Sequence, residues 1–102
     1  MSTTLPTSIQ IGPCKYQVDI VRDLRSDSDE KLLGQIDYVN FVIHIDNKLN
    51  DQQTPFTLWH EIIHGILRNS CRGLKESVVD TLAFGIVDVL QRNDNGLINN
   101  GK

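Results

Sequence analysis

Cysteine is scarce in this chain, which has only Cys14 and Cys71 among its 102 residues. Two cysteines cannot build the framework of bridges that stabilises small secreted domains. We therefore interpret both as small hydrophobic residues. The absence of a membrane span and of a signal peptide, described next, predicts a cytoplasmic location, and in that reducing compartment both cysteines should stay thiols. Proline and glycine are also few, with three and seven residues, which argues against a disordered chain.

Long apolar runs and clusters of basic residues are absent as well. No stretch approaches the roughly 18 apolar residues of a membrane span, and the segment MSTTLPTS lacks the charged start and apolar run of a signal peptide. Ten Lys and Arg against thirteen Asp and Glu give a net charge of −3, and the basic residues are scattered. We therefore expect neither a membrane nor nucleic acid as a partner.

The first half of the chain has the pattern of short β-strands. Two pairs of β-compatible runs, each separated by a turn, predict a first hairpin and then either a second hairpin or a bent strand pair. The runs are Ser8 to Gly12, Tyr16 to Val21, Gln35 to Tyr38 and Phe41 to Asp46. The charged segment 22–31 between the pairs predicts a solvated connection.

Apolar residues then recur at helical spacing. Thr54 as N-cap and Pro55 at the first helical position predict a helix to about Asn69, and a break follows at residues 70–73. A second helix is predicted from Leu74 to Arg92. The order predicts one α+β domain over residues 1–102, with a small antiparallel sheet packed against two antiparallel helices and loose ends at 1–7 and 93–102.

The first helix contains the sequence His60-Glu61-Ile62-Ile63-His64, an HExxH pattern. Histidines four residues apart lie on one helix face, so both imidazoles can reach one Zn²⁺ at about 2.0 to 2.1 Å. Glu61 then lies beside a water molecule at the metal and can accept its proton. The alternative is that both histidines only line the polar face of the helix. We favour the metal, because His60 and His64 would otherwise be buried unpaired in an apolar setting.

A third ligand is expected on the second helix. If the chain reverses near residue 70, positions equidistant from the turn face each other, which sets Glu76 opposite His64 and Asp80 opposite His60. Glu76 is the better metal ligand because its longer side chain crosses a helix separation of about 8 to 10 Å more easily. Asp80 is suited to accept the other ring N–H of a metal-binding histidine. The alternative for both is a solvated carboxylate.

These residues resemble a known family. The HExxH helix followed by Glu76-x-x-Val79-x-x-Leu82-Ala83 is similar to the ImmA/IrrE family of bacterial and phage-associated zinc metallopeptidases. The resemblance implies a compact zincin-like domain with zinc ligands His60, His64 and Glu76 and with Glu61 as general base. It also implies a phage or mobile-element origin and an edge strand, assigned to Phe41 to Asp46, that holds an extended peptide.

Two further functions remain open besides that of a peptidase. One is a zinc-stabilised binding module that occupies a partner, and the other is a purely structural zinc site; a glutamate between the two histidines favours chemistry. For the peptidase, the resemblance implies a protein or peptide substrate such as a transcriptional repressor. His44 and Tyr38 are interpreted as ordinary residues rather than as groups that stabilise an oxyanion, and Cys71 is not expected to bind the metal.

Overall fold

The computed structural model describes residues 5–68 and 74–93. Four strands precede two helices, and the predicted α+β class is confirmed. In chain order the elements are β1 (Ser8–Ile11), β2 (Cys14–Val21), β3 (Gly34–Asp37), β4 (Val42–Asp46), α1 (Gln53–Leu67) and α2 (Glu76–Arg92). Residues 1–4, 69–73 and 94–102, which include most of the predicted loose ends and the predicted helix break, lie outside the described residues.

The sheet joins the two predicted strand pairs side by side, in the order β1-β2-β4-β3. The pairs β1–β2 and β3–β4 are antiparallel, as predicted, whereas β2 and β4 pair in parallel. The assignment of Phe41 to Asp46 as an edge strand is wrong, because β4 lies between β2 and β3. The burial of Ile43 and Ile45 explains this: a strand with two fully buried side chains belongs in the middle of the sheet. The edges are β1 and β3.

A tight turn joins β3 to β4 at the position that the sequence predicts. The carboxylate of Asp37 accepts the backbone N–H groups of Val39 and Asn40 at 2.9 and 3.0 Å. Phe41 completes the turn with φ of 58°, a conformation that a bulky residue rarely adopts. Its ring lies edge-on to Tyr16, with the centroids 5.5 Å apart. Phe41 is 39% exposed and does not belong to the buried cluster that contains Ile43 and Ile45.

The main core lies between one face of the sheet and α1. Ile43 and Ile45 of β4 pack in one cluster with Leu58 and Ile62 of α1. Leu5 packs against the same cluster, and the carbonyl of Thr7 accepts the N–H of Val18 at 2.9 Å. The described end of the predicted N-terminal arm is therefore part of the folded domain.

The start of α1 differs from the prediction, because Thr54 is not the N-cap. The helix begins at Gln53, and the side-chain oxygen of Asn50 accepts the N–H groups of Gln52 and Gln53 at 2.9 and 2.8 Å. Thr54 instead donates its hydroxyl to the Asn50 carbonyl at 2.8 Å. Asn50 thus satisfies two of the N–H groups that a helix start leaves without partners.

The second helix packs on α1 and contacts no described strand. Val79 and Ala83 are fully buried and meet Ile63 in a small second cluster. Each contact one turn further along α1 is made to a residue one turn earlier in α2. The helices are therefore antiparallel, as predicted, and their contacts are symmetric about residue 70. Among the described residues, no helix is long and apolar enough to cross a membrane.

Candidate metal centre

His60 and His64 lie one turn apart on the face of α1 that turns toward α2. Their Nε2 atoms are 3.2 Å apart, and their side chains are 17% and 28% exposed. The apolar faces of α1 are occupied by the sheet and by the α2 contact, so the two imidazoles occupy the strip between these contacts. The spacing of four residues therefore places both rings at one partly open site, as the sequence predicts.

Glu76 reaches both histidines from the first turn of α2. Its Oε1 lies 2.9 Å from His60 Nε2 and its Oε2 lies 3.0 Å from His64 Nε2. Two thirds of the Glu76 side chain remains exposed, so the group opens toward solvent on this side. The three residues form a cluster whose ligand atoms lie within 4.8 Å of one another, close enough to hold a metal ion.

The chemistry of these atoms fits a cation at their centre. In a tetrahedral zinc site with bonds of about 2.0 to 2.1 Å, neighbouring ligand atoms are roughly 3.3 Å apart. The separations of 2.9, 3.0 and 3.2 Å are slightly shorter than this value. Two imidazole lone pairs and a carboxylate repel one another at such distances unless a metal ion or protons lie between them. Two nitrogens and one carboxylate are a donor set that several divalent metals accept.

Asp80 determines which nitrogen of His60 faces this cluster. Its Oδ1 lies 2.7 Å from His60 Nδ1. Because an ionised carboxylate only accepts, His60 donates Nδ1–H to Asp80. In the neutral ring, which is the form that binds a metal, Nε2 then carries the lone pair that faces Glu76 and His64. A carboxylate on the far nitrogen of a metal-binding histidine fixes the ring and raises its basicity. Asp80 thus lies where the sequence places it.

Glu61 lies on the neighbouring strip of α1, between the histidines and the sheet, and is 7% exposed. Burial is the main cause that raises the pKa of Glu61 to about 7; the charge of His60 lowers this pKa and the charge of Glu76 raises it. Gly34 at the start of β3 makes room for it: a Cβ at residue 34 would lie 3.2 Å from Glu61 Oε2. The carboxyl group is therefore held between α1 and the edge strand.

A pocket of about 200 Å³ lies beside these groups, between β3, α1 and α2. We call it the cleft pocket; it is lined by Leu33, Gly34, Phe56, Thr57, His60, Glu61 and Asp80. The Thr57 hydroxyl is buried and has no hydrogen-bond partner in the described part of the chain. The sequence reasoning named neither Gly34 nor Thr57 for the site. Thr57 lies about one helical turn before His60, so its position in the sequence could have indicated that it shares the site.

Other residues considered from the sequence lie elsewhere. His44 alternates along β4 with Ile43 and Ile45, so its side chain is on the sheet face away from α1 and outside the cleft. Tyr38 donates its hydroxyl to the His64 carbonyl at 3.2 Å and so satisfies a group in the last turn of α1. Cys71 lies outside the described residues.

The fold and site together define a class of protein: a small α+β domain with a candidate metal centre of two histidines and one glutamate between paired helices. Comparison of the chain with protein-family models, curated proteins and solved structures finds no match. The resemblance to the ImmA/IrrE family therefore stays a prediction that depends on the residues quoted for it.

Proposed function

We propose that this protein is a zinc-dependent peptidase. The observation that carries the proposal is the juxtaposition of the buried Glu61 carboxyl group with a three-residue ligand group that is open to solvent. His60, His64 and Glu76 hold the ion, and Asp80 orients His60. A structural metal site would have no use for a buried carboxyl group at residue 61.

For hydrolysis of a peptide bond, the chain supplies a proton acceptor and the side chains that hold and orient the metal ligands. When bound, Zn²⁺ supplies Lewis-acid polarisation of the scissile carbonyl and of a water molecule. Glu61 accepts the proton of the attacking water and passes it to the leaving amine. Its burial beside β3 keeps the carboxyl group in one position during these transfers.

The substrate class follows from the position of β3. Among the described strands, β3 pairs with β4 alone, and it runs beside α1. An extended peptide can therefore add to its other side, next to the metal-binding residues. β3 takes the role that the sequence reasoning assigned to Phe41 to Asp46. A protein or peptide is the proposed substrate, and a transcriptional repressor is the kind of protein that the family resemblance implies.

Glu61→Gln is the variant that tests hydrolysis. It keeps the shape of the side chain but cannot accept a proton, so zinc content and fold should persist while cleavage falls by several orders of magnitude. Cleavage of a peptide library would be followed by mass spectrometry and zinc by elemental analysis. Glu30→Gln is the matched control, because Glu30 is exposed in the 22–33 connection and should leave both properties unchanged.

A non-catalytic binding module is the second candidate, and one observation favours it. The ligand group bridges α1 and α2, and α2 has no other described element to pack against, so a metal would organise the helix pair even without chemistry. If Glu61→Gln keeps the full biological effect of the parent in cells, the protein acts by binding, and the peptidase proposal is rejected.

A further inference from the structure

The cleft pocket has the size of a site for one amino-acid side chain. Its volume of about 200 Å³ lies below the roughly 300 to 1,000 Å³ of pockets that hold drug-sized ligands. It adjoins His60 and Glu61 on α1 and Gly34 at the start of the edge strand. A peptide on β3 would therefore place one of its side chains in this pocket while its backbone passes the metal-binding residues.

We propose that the cleft pocket binds the side chain of an arginine next to the scissile bond. This assignment rests on the proposed peptidase function, because it names the residue that a peptide substrate would insert. Three properties of the pocket lead to it: the hydrogen-bonding character of its polar groups, its charge and an aromatic pair at its α2 end.

The polar groups of the pocket are predominantly acceptors. Asp80 uses Oδ1 for His60, and its Oδ2 has no partner among the described residues. The Thr57 hydroxyl is buried without a partner, although Thr57 is only 4% exposed. A buried polar group without a partner is costly, and an incoming N–H donor would remove that cost. Arginine offers five N–H donors and no acceptor, which matches this arrangement.

The charge of the pocket also favours a cation. Among the described residues that line it, Glu61 and Asp80 are acidic and none is lysine or arginine. The two positive charges of a divalent ion would already be matched by Glu76 and Asp80, before Glu61 is counted. A guanidinium group at the half-exposed Asp80 carboxylate would therefore meet attraction rather than repulsion.

An aromatic pair at the α2 end distinguishes arginine from lysine. Phe56 lines the pocket, and its ring is stacked on Phe84 with the centroids 4.2 Å apart. Phe84 follows Asp80 by one turn of α2, so the aromatic pair and the carboxylate stand next to each other. A planar guanidinium can stack on an aromatic face while it donates to a carboxylate, whereas an ammonium group is a point charge without a planar surface.

The test measures binding separately from cleavage. Zinc-loaded Glu61→Gln protein is titrated calorimetrically with a blocked hexa-alanine peptide that carries one central arginine, citrulline or leucine. Citrulline has the shape of arginine without its charge. We expect the arginine peptide to bind about tenfold more tightly than the other two, the size of one partly exposed charge-assisted contact. Equal binding of the three peptides, or binding of none, would overturn the proposal.

Variants then test which residues cause the preference for the arginine peptide. In the Glu61→Gln background, Asp80→Asn keeps an acceptor for His60 but removes the charge, so the arginine preference should disappear. These titrations use zinc in excess and are checked by elemental analysis, because loss of the orienting carboxylate weakens metal binding. Asp88→Asn is the matched control on the same helix, because Asp88 pairs with Arg92 and does not line the pocket. Thr57→Val tests the pocket without altering any group around the metal, and it should weaken arginine binding severalfold. A preference that survives both Asp80→Asn and Thr57→Val contradicts the assignment.

The outcomes separate this assignment from the peptidase proposal. An arginine preference in binding, combined with no cleavage of any peptide by the parent protein, would support the pocket and reject hydrolysis. Cleavage by the parent with no preference for arginine in binding would reject the pocket and leave hydrolysis standing.

Discussion

Glu76 and Asp80 both contact His60, but through opposite nitrogens of its ring. Glu76 lies at Nε2, where it shares the ligand group with His64, whereas Asp80 lies at Nδ1 and only orients the ring. Substitution at the two positions therefore has unequal consequences. Substitution of Glu76 removes a metal ligand, whereas substitution of Asp80 leaves the ligand His60 in place but less firmly oriented.

We expect Glu76→Ala to weaken zinc binding more than Asp80→Ala does. Loss of an orienting carboxylate typically costs about 10-fold to 100-fold in metal affinity, and loss of a ligand should cost more. Competition with a chromophoric chelator gives both affinities. The reverse order would mean that Asp80, and not Glu76, binds the metal.

Asp46, which is not one of the candidate metal ligands, makes the stability of the fold depend on pH. It is 2% exposed, and its carboxylate accepts the N–H groups of Leu24 and Lys48 at 3.0 and 3.3 Å. The hydrogen bond from the Leu24 backbone is the main cause that holds the pKa of Asp46 below its ordinary value. Asp46 thus ties the 22–33 connection to the end of β4, and the tie depends on ionisation.

We expect Asp46→Asn to lower the free energy of unfolding at pH 7 by about 1 kcal/mol, because the charge-assisted bonds weaken. Since the pKa of Asp46 is depressed in the folded state, its stabilisation is present above the ordinary pKa of 3.8 and is lost as the pH falls through the folded value. The difference between parent and variant should therefore shrink in acid. Urea unfolding at several pH values measures it.

Asp27→Asn is the control for that series, because Asp27 is exposed in the same connection and has no hydrogen bond to the described residues. A difference between parent and Asp46→Asn that stays constant from pH 7 down to pH 2 would show that ionisation of Asp46 is not the cause.

Among the contacts between secondary-structure elements, the close approach of β3 to α1 determines how tightly Thr57 and Glu61 are enclosed. A Cβ at Gly34 would lie 2.8 Å from Thr57 Cγ2 and 3.3 Å from Glu61 Cγ. The strand can lie this close to the helix only because residue 34 has no side chain. Glycine is thus required here for packing, which neither strand alternation nor turn chemistry reveals.

We expect Gly34→Ala to destabilise the fold by about 1 to 3 kcal/mol, the usual cost of forcing an extra group into a packed interface. Gly85→Ala is the matched control, since a Cβ there meets nothing within 4 Å and residue 85 lies inside α2. That control should stabilise the helix by roughly 0.5 to 1 kcal/mol. Thermal and urea unfolding measure both, and equal effects of the two substitutions would contradict the packing argument.

At the scale of the whole molecule, the domain consists of two unequal parts. The sheet and α1 share the larger core, whereas α2 is attached through the small cluster of Ile63, Val79 and Ala83 and through the candidate metal residues. A metal ion between the helices would therefore contribute more to the attachment of α2 than to the sheet.

We expect protein purified without chelator to hold one zinc per chain and to lose about 10 °C in melting temperature when zinc is removed. Hydrogen exchange should then show faster opening of Glu76–Arg92, while the β4 amides stay protected. His60→Ala should reproduce both effects. No stoichiometric zinc in the purified protein, together with no change on adding chelator, would reject the metal centre.

Much of the fold and of the site is local, and local patterns could be predicted. Strand alternation and turn residues predicted both strand pairs, and helical spacing predicted α1 and α2 to within a few residues. The positions of His60, His64, Glu76 and Asp80 followed from two facts: residues four apart share a helix face, and antiparallel helices pair symmetrically about their turn. The helix start was misplaced because the side chain of Asn50, outside the helix, supplies the cap.

The tertiary structure alone decided the order of the strands and the surroundings of the site. Pairing of β2 with β4 joins residues distant in sequence, and burial of Ile43 and Ile45 on the helix-facing side favours β4 as a central strand, which leaves β3 as the edge. The same packing buries Glu61 against Gly34 and leaves Thr57 beside the cleft pocket. Periodicity specifies which face a residue occupies, but only the packing of distant segments decides what that face meets.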